Sequence, residues 1–570
     1  MRFASTRALT AAGRGRASLR TTVRALSVSG AVRNDTGGPD AVHLNSQSEE
    51  DRQRFFQYTW GSWARNDAAE KKRRFTDFSL TGLTDAIKKA RQSGATEANV
   101  TIKTISSLHE GKHHRVYAVE TDDGASYILR LPYPLELTSL ARQRRIQSEV
   151  ATMDFARRKW GMLVPQVIGY SATKDNALGR EYMLLEHIGV GATAGLEPLM
   201  RKWDPMSAGI ADRAKVIKVS VELLEKILAT RFSRYGSLYF TEDVASDLQN
   251  TLPYADETDA ALVDRYRIGE STEARFWAAG VPDRGTDRGP WKTPEEYMVA
   301  TAAVNKRMLQ NLPPAAMKQM GEYFSLWNEA YEQYAKLAPQ LVPSEASADL
   351  LSPRLCHPDV HPLNIFLRTT DEAGADLPFY KDAYLLDWEG ASIKPFFVHT
   401  APAHLRYGGY KIFKREEVEQ YDQLPPQQKQ QVDYMIAATT NQYSFEFLFS
   451  QAFPHLINAF SPNAKSFKEP YRMAMATDFS YHPGEIVDLK DALVQATDVW
   501  EQLAPETPCP ISYSEAELEK HAADMAAWNK TIEGLPFFSS KGWMPQDLFD
   551  EAVASGQIVQ DAEGNWTRPE

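Results

Sequence analysis

Cysteine is scarce in this chain: Cys356 and Cys509 are the only two among 570 residues. Two thiols cannot make a disulfide framework, and so low a count fits a reducing compartment. No run of 18 or more apolar residues occurs, which argues against a spanning helix. The first 34 residues lack both acid and lysine. They carry seven arginines (Arg2, Arg7, Arg14, Arg16, Arg20, Arg24 and Arg33), with Ser, Thr and Ala between them. That arginine-rich, acid-free composition is the one mitochondrial presequences share. A secretory signal fits worse because no apolar stretch of adequate length appears; a disordered basic tail is the plainer alternative.

What remains is long and ordinary in bulk. A chain of 570 residues exceeds one compact core, so two or more units with insertions are expected. Hydrophobic residues at 43% and charged residues at 24% place it among globular proteins. Without the first 34 residues, Lys plus Arg falls from 64 to 57 against 75 acids, so net charge moves from -11 to -18. An acidic body argues against nucleic acid as a partner and mildly favours a neutral or cationic substrate.

Along the chain, 35–48 has linker composition, and "RQRFFQYTWGSWARND" carries aromatics that predict docking onto a core. "SLTGLTDAIKKARQSG" has helical spacing with Gly94 as its stop. From 98 to 132 the pattern becomes a strand meander, with Asp123-Gly124 as a hairpin signal. A helix follows over "SLARQRRIQSEVATMDFARRKW", then two strands, "VPQVIGYSAT" and "REYMLLEHI". Beyond 189 the spacing is mainly helical, with Ala214, Ile217, Val221, Leu224 and Leu228 as a core stripe. A second strand island lies at 364–396, and 241–295 has the composition of a loop-rich insertion. The expected division is 1–45 presequence and linker, 46–188 N-terminal segment and small lobe, 189–520 helical large lobe, and 521–570 a C-terminal tail.

The stretch "RLCHPDVHPLNIFLRTT" bears the chemistry. His357, Asp359 and His361 alternate, so an extended backbone would set them on one face as metal ligands. Pro358 and Pro362 argue for a loop instead, and no further His or Cys cluster stands nearby. Cys356 is expected as a small buried hydrophobe. Phosphoryl transfer from ATP supplies the stronger pattern, because it needs a carboxylate for the acceptor hydroxyl, oxygen ligands for Mg²⁺ and a phosphate cation in a set order. "HPDVHPLN" matches H-x-D-x-x-x-x-N. Asp359 takes the hydroxyl, Asn364 offers a carbonyl oxygen to Mg²⁺, and His357 shapes the loop. "LLDWEG" ends a strand with Asp387 as the metal carboxylate and Glu389 as a second acid. Upstream, Arg130 in "YILRLP" and Glu149 on the following helix form a strand cation and helix acid that clamp phosphates. Gly111 in "SSLHEGKHHRVYAV" allows a close turn over them, and Glu186 to Ile188 form an interlobe hinge whose backbone meets adenine.

With these motifs the sequence resembles the aminoglycoside phosphotransferase and choline kinase-like superfamily from about 98 to 400. "FFQYTWGSW", "YGSLYF", "RGPW" and the basic N-terminus resemble, more narrowly, the fungal altered inheritance of mitochondria protein 9 family. The resemblance implies an α+β, two-lobed protein kinase-like fold, a small β-rich lobe and a large helical one, in a mitochondrial protein of phosphotransferase type. ATP and Mg²⁺ are the expected cofactors, nucleotide and a small-molecule hydroxyl the expected ligands. A protein or lipid acceptor is a further possibility. Two features depart from the pattern: the strand cation is arginine, a planar fork instead of a compact ammonium, and the covering turn has one glycine. These favour the competing expectation, a catalytically weak or silent nucleotide- or partner-binding module supporting mitochondrial inheritance or organisation.

Overall fold

The structure, a computed structural model, describes residues 48–569 apart from 93–99, 136, 202–209, 255–258, 279, 322, 343–346, 369–382, 477–482, 505 and 535–541. The basic N-terminus and the Gly94 stop lie outside the described residues.

The small lobe is a five-stranded antiparallel sheet. Its strands are β1 (Ile102–Glu110), β2 (His114–Thr121), β3 (Ser126–Pro132), β4 (Val167–Ser171) and β5 (Tyr182–Glu186), in the spatial order β1-β2-β3-β5-β4. Asp123-Gly124 turns β2 into β3, with Gly124 at φ 83°, where a side chain would be strained. Between β3 and β4 runs helix α1 (Ser139–Trp160). Thr138 caps its start through the Ala141 N–H, and Gly161, in the left-handed region, ends it.

Strand alternation decides which face meets what. Leu129 and Leu131 of β3, with Leu184 of β5, face Tyr117, Leu83, Ile87, Phe55 and Phe56, so the aromatics before the first strand do dock on a core. Ile128 and Arg130 point to the other face, opposite Leu185 and Met183, where α1 brings Ile146, Val150 and Met153.

The large lobe holds α2 (Ile210–Ala229), α3 (Pro294–Gln310), α4 (Tyr323–Leu337), α5 (Pro426–Ala452), α6 (Pro462–Ala476), α7 (Ile486–Leu503) and α8 (Glu515–Gly534). Ile217, Val221 and Leu228 of the predicted stripe are buried, whereas Ala214 is exposed near the start of α2. The polar segment 241–295 is built into the body. Tyr266–Gly269 pairs with Ser237–Phe240, and Phe276, Trp277 and Trp291 are buried. The buried Arg288 donates to the carbonyls of Phe276 (3.0 Å), Asp283 (2.9 Å) and Pro282 (2.8 Å). One guanidinium thus satisfies three backbone acceptors, so the segment keeps the loop-rich character its composition predicts while several of its side chains are buried.

The chain ends meet. Gly61–Trp63 pairs antiparallel with Trp543–Pro545, and Trp543 Nε1–H donates to Tyr58 (2.9 Å). Helix α8 runs across residue 520, and the segment after it closes on the small lobe.

Candidate active site

Arg130 and Glu149 meet because β3 and α1 bring them to one face. The guanidinium hydrogen-bonds and ion-pairs with the Glu149 carboxylate, which is 3% exposed. Its second amino group reaches Asp387 (2.8 Å) and lies 3.8 Å from Glu389. Burial works against the arginine's charge, but these three carboxylates outweigh it and hold the group firmly cationic. Burial pushes the Glu149 carboxyl up to about 7, with Glu389 and Asp387 adding to the rise against Arg130.

The loop after Pro353–Cys356 carries the other groups. The Asp359 N–H donates to His357 Nδ1 (3.1 Å), so that nitrogen is unprotonated and Nε2–H donates to the Leu386 carbonyl (3.2 Å). Burial pushes His357 down to about 4, which keeps the ring neutral. With both nitrogens on the backbone, His357 has none left for a metal. His361 Nδ1 accepts from the Leu363 N–H (3.3 Å). These bonds replace the metal cage that alternation of His357, Asp359 and His361 raised. The Asp359 carboxyl reaches solvent at the loop surface, yet loss of water around it raises its pKa; His361 opposes this, Asp387 adds to it, and Asn364 and Lys112 oppose it.

Antiparallel pairing of Ile365–Arg368 with Tyr384–Leu385 sets Ile365 opposite Leu385. The Leu386 N–H accordingly donates to the Asn364 carbonyl (2.8 Å), so Asn364 and Asp387 emerge at the same end of the ladder. Asn364 Nδ2–H₂ donates to Asp359 Oδ2 (2.9 Å) and to the Asp359 carbonyl (3.0 Å). Its Oδ1 is left for a hard cation. Asp387 sits at φ 59° with its side chain 46% exposed. A non-glycine residue there costs on the order of 1 kcal/mol, and such outliers cluster at working sites.

Glu389, expected as a second metal acid, instead contacts the Arg145 guanidinium at 3.3 Å and the His114 ring at 3.4 Å. Burial pushes His114 down to about 3, so it is neutral. His114, Arg145 and Arg130 together overcome Glu389's own burial and hold it below the usual carboxylate range. Two arginines thus stand among Glu149, Asp359, Asp387 and Glu389. That acid excess suits a divalent cation. Among the described residues no three His, Cys, Asp or Glu side chains group as a metal cage. Mg²⁺ does not need one, since it takes one or two protein oxygens with phosphate and water.

The turn between β1 and β2 covers this cluster. A Cβ on Gly111 would stand 3.1 Å from the His114 carbonyl oxygen and 3.2 Å from His109 Nε2. The Gly111 N–H donates to the His114 carbonyl (2.9 Å). Glu186 is the last paired residue of β5, opposite Tyr127, and Ile188 lies two residues beyond it; the Glu186 carboxylate accepts from the Gln166 N–H (3.1 Å), and Ile188 is buried. Lys112, His114 and Arg145 were not singled out from sequence. The signal available was weak: a basic tetrad G-K-H-H at the turn, and an arginine one helical turn before Glu149.

None of the described helices is long and apolar enough to cross a membrane. Solved structures with similar folds include a protein of Thermobifida fusca named for fructosamine-3-kinase, at 12% identity and TM-score 0.34, covering 73% of this chain and 99% of that one. A macrolide 2′-phosphotransferase from Brachybacterium faecium is similar at 12% identity and TM-score 0.30, covering 75% and 100%. No protein-family model matches the chain. Full-length relatives are much nearer in sequence. Altered inheritance of mitochondria protein 9, mitochondrial, of Yarrowia lipolytica is 40% identical, covering 93% of this chain and 91% of the relative. The proteins of that name from Eremothecium gossypii and Candida albicans are 34% and 32% identical, covering 92% and 96% of this chain. Identity over more than nine-tenths of the chain makes it a mitochondrial member of the altered inheritance of mitochondria protein 9 family.

Proposed function

We propose that the protein is an ATP- and Mg²⁺-dependent phosphotransferase acting on a small-molecule hydroxyl in mitochondria. One observation carries this: two hydrogen-bonded pairs, Asn364 on Asp359 at 2.9 Å and Arg130 on Asp387 at 2.8 Å, are brought to one end of a strand ladder by the Leu386 N–H on the Asn364 carbonyl (2.8 Å). Asp359 orients the acceptor hydroxyl and takes its proton as the new O–P bond forms. The bond from the γ-phosphorus to the β–γ bridging oxygen breaks, and ADP leaves. Arg130, held by Glu149, binds phosphate oxygens. Asn364 Oδ1 and Asp387 hold Mg²⁺, which when bound neutralises phosphate charge. Glu389 positions Arg130 and Arg145, and the backbone from Glu186 to Ile188 meets adenine.

A second reading, a catalytically silent nucleotide- or partner-binding module, is favoured by the engagement of Arg130 with three carboxylates. ATP consumption by the chain from residue 46 onward, supplied with a pooled hydroxyl-metabolite extract, separates the two. The phosphotransferase turns over Mg-ATP, and Asp359→Asn cuts the rate by about 100-fold or more while leaving nucleotide affinity nearly unchanged. No turnover above that variant would sink the enzyme, and binding without turnover would support the module.

A further inference from the structure

Helix α1 is held from two sides. Toward the site, Arg145 meets Glu389 (3.3 Å) and Glu149 holds Arg130. At 3.6 residues per turn, Arg144, Gln147 and Asp154 fall on roughly the opposite side. All three engage the two-stranded ladder of Ser237–Phe240 and Tyr266–Gly269, or residues next to its ends. Arg144 donates to the Asp243 carbonyl (2.8 Å) and ion-pairs with Glu270 (3.3 Å), and Gln147 donates to the Asp243 carboxylate (2.6 Å). Farther along, Asp154 accepts from the Tyr266 hydroxyl and from Arg265 (2.6 Å each). The Phe155 ring packs edge-on against Tyr266, centroids 5.1 Å apart. Glu149 lies between these two anchors.

The ladder is rooted just past Asp387 and Glu389. Gly236 exchanges backbone hydrogen bonds with Ile393 (3.0 and 2.6 Å), and the Ser237 hydroxyl donates to the Ala391 carbonyl (3.1 Å). One closed ring of contacts therefore runs from Glu389 through α1 and the ladder and back to Ala391. It sets where Glu149 stands relative to Asp387. That placement matters because Arg130 is shared among Glu149, Asp387 and Glu389. A displaced α1 would take Glu149 away and leave the guanidinium to the other two acids, where its charge competes with a metal at Asp387.

We propose that this ladder is a brace for phosphate binding, with Asp154 and Asp243 as positioning residues that hold α1 so that Glu149 keeps Arg130 on the phosphates. The proposal rests on the phosphotransferase reading above. Neither aspartate touches nucleotide in it; both act through α1.

Two measurements on the full chain test it: calorimetry with Mg²⁺ and a non-hydrolysable ATP analogue, and amide hydrogen exchange along α1. Asp154→Ala/Asp243→Ala removes both side-chain acceptors. It is expected to weaken analogue binding about tenfold and to speed exchange along α1 by a similar factor. Asp154→Asn/Asp243→Asn keeps an acceptor oxygen at each position and should bind within about twofold of the unsubstituted protein. If the double alanine variant does not fold, Asp243→Ala alone removes one anchor and is expected to weaken binding about threefold. Faster exchange without loss of affinity, or loss of affinity without faster exchange, overturns the positioning role and leaves the phosphotransferase reading standing. Equal losses in the asparagine and alanine pairs do the same. Failure of the unsubstituted protein to bind the analogue overturns both.

Discussion

At the scale of residues, the cluster around Arg130 is balanced by geometry that no single substitution preserves. Replacing Arg130 leaves Glu149 buried beside Asp387 and Glu389 without its counter-ion. Arg130→Gln is therefore expected to lower unfolding stability by roughly 3 to 5 kcal/mol, the cost of breaking a buried pair. In Arg130→Gln/Glu149→Gln the stranded carboxylate is gone, so a large part of that loss should return, while Mg-ATP affinity stays at least about tenfold weaker than in the unsubstituted protein. Urea unfolding and nucleotide calorimetry on the three proteins measure both quantities. A double variant that binds Mg-ATP normally would show that Arg130 is a structural ion and no phosphate clamp.

At the scale of elements, the loop from His357 to Asn364 is set by a neutral histidine. His357 accepts from the Asp359 N–H and donates to the Leu386 carbonyl, tying the loop to the strand end that presents Asp387. Protonation at Nδ1 destroys the first of these bonds. The folded pKa is depressed, to about 4, below the ordinary 6.5. Its stabilisation is accordingly complete above about pH 6.5 and is lost as pH falls through about 4, worth about 3 kcal/mol across that window. Two other buried histidines, His114 and His399, are each pushed down to about 3 by burial and act with the same sign. Unfolding stability followed from pH 7.5 to 4 should fall steadily, and His357→Asn, which cannot titrate, should show a shallower fall from a lower starting value. Equal slopes would mean that the loop ring contributes nothing to the acid sensitivity.

At the scale of the whole molecule, the two chain ends are coupled to the site. Gly61–Trp63 pairs with Trp543–Pro545, the Gln546 N–H donates to the Trp60 carbonyl (3.0 Å), and Trp60 in turn contacts His109 and Glu110 at the covering turn. Ending the chain at residue 534 removes that pairing and uncovers the cluster of Tyr58, Trp63 and Tyr133. The truncated protein is expected to melt several degrees lower and to bind Mg-ATP several-fold more weakly, although no removed residue is proposed to touch nucleotide; loss of about 1 kcal/mol at the turn is enough. Thermal unfolding and nucleotide titration check this, and unchanged affinity at lowered melting temperature would confine the tail to stability.

The sequence by itself determined the small-lobe order, the helix over 139–160, the hairpin at Asp123-Gly124 and the Asp359-to-Asn364 spacing, because each rests on local periodicity or turn chemistry acting within a few residues. It also marked Arg130, Glu149 and Asp387 as a set, through the order of parts that phosphoryl transfer demands. Only the tertiary structure decided that Glu389 faces Arg145 and His114, that Arg288 of the 241–295 segment is buried on backbone carbonyls, and that Trp543–Pro545 pairs with Gly61–Trp63. Those outcomes depend on which charges and carbonyls become neighbours after the lobes pack, and the pairing partners lie up to hundreds of residues apart, where no local pattern records them.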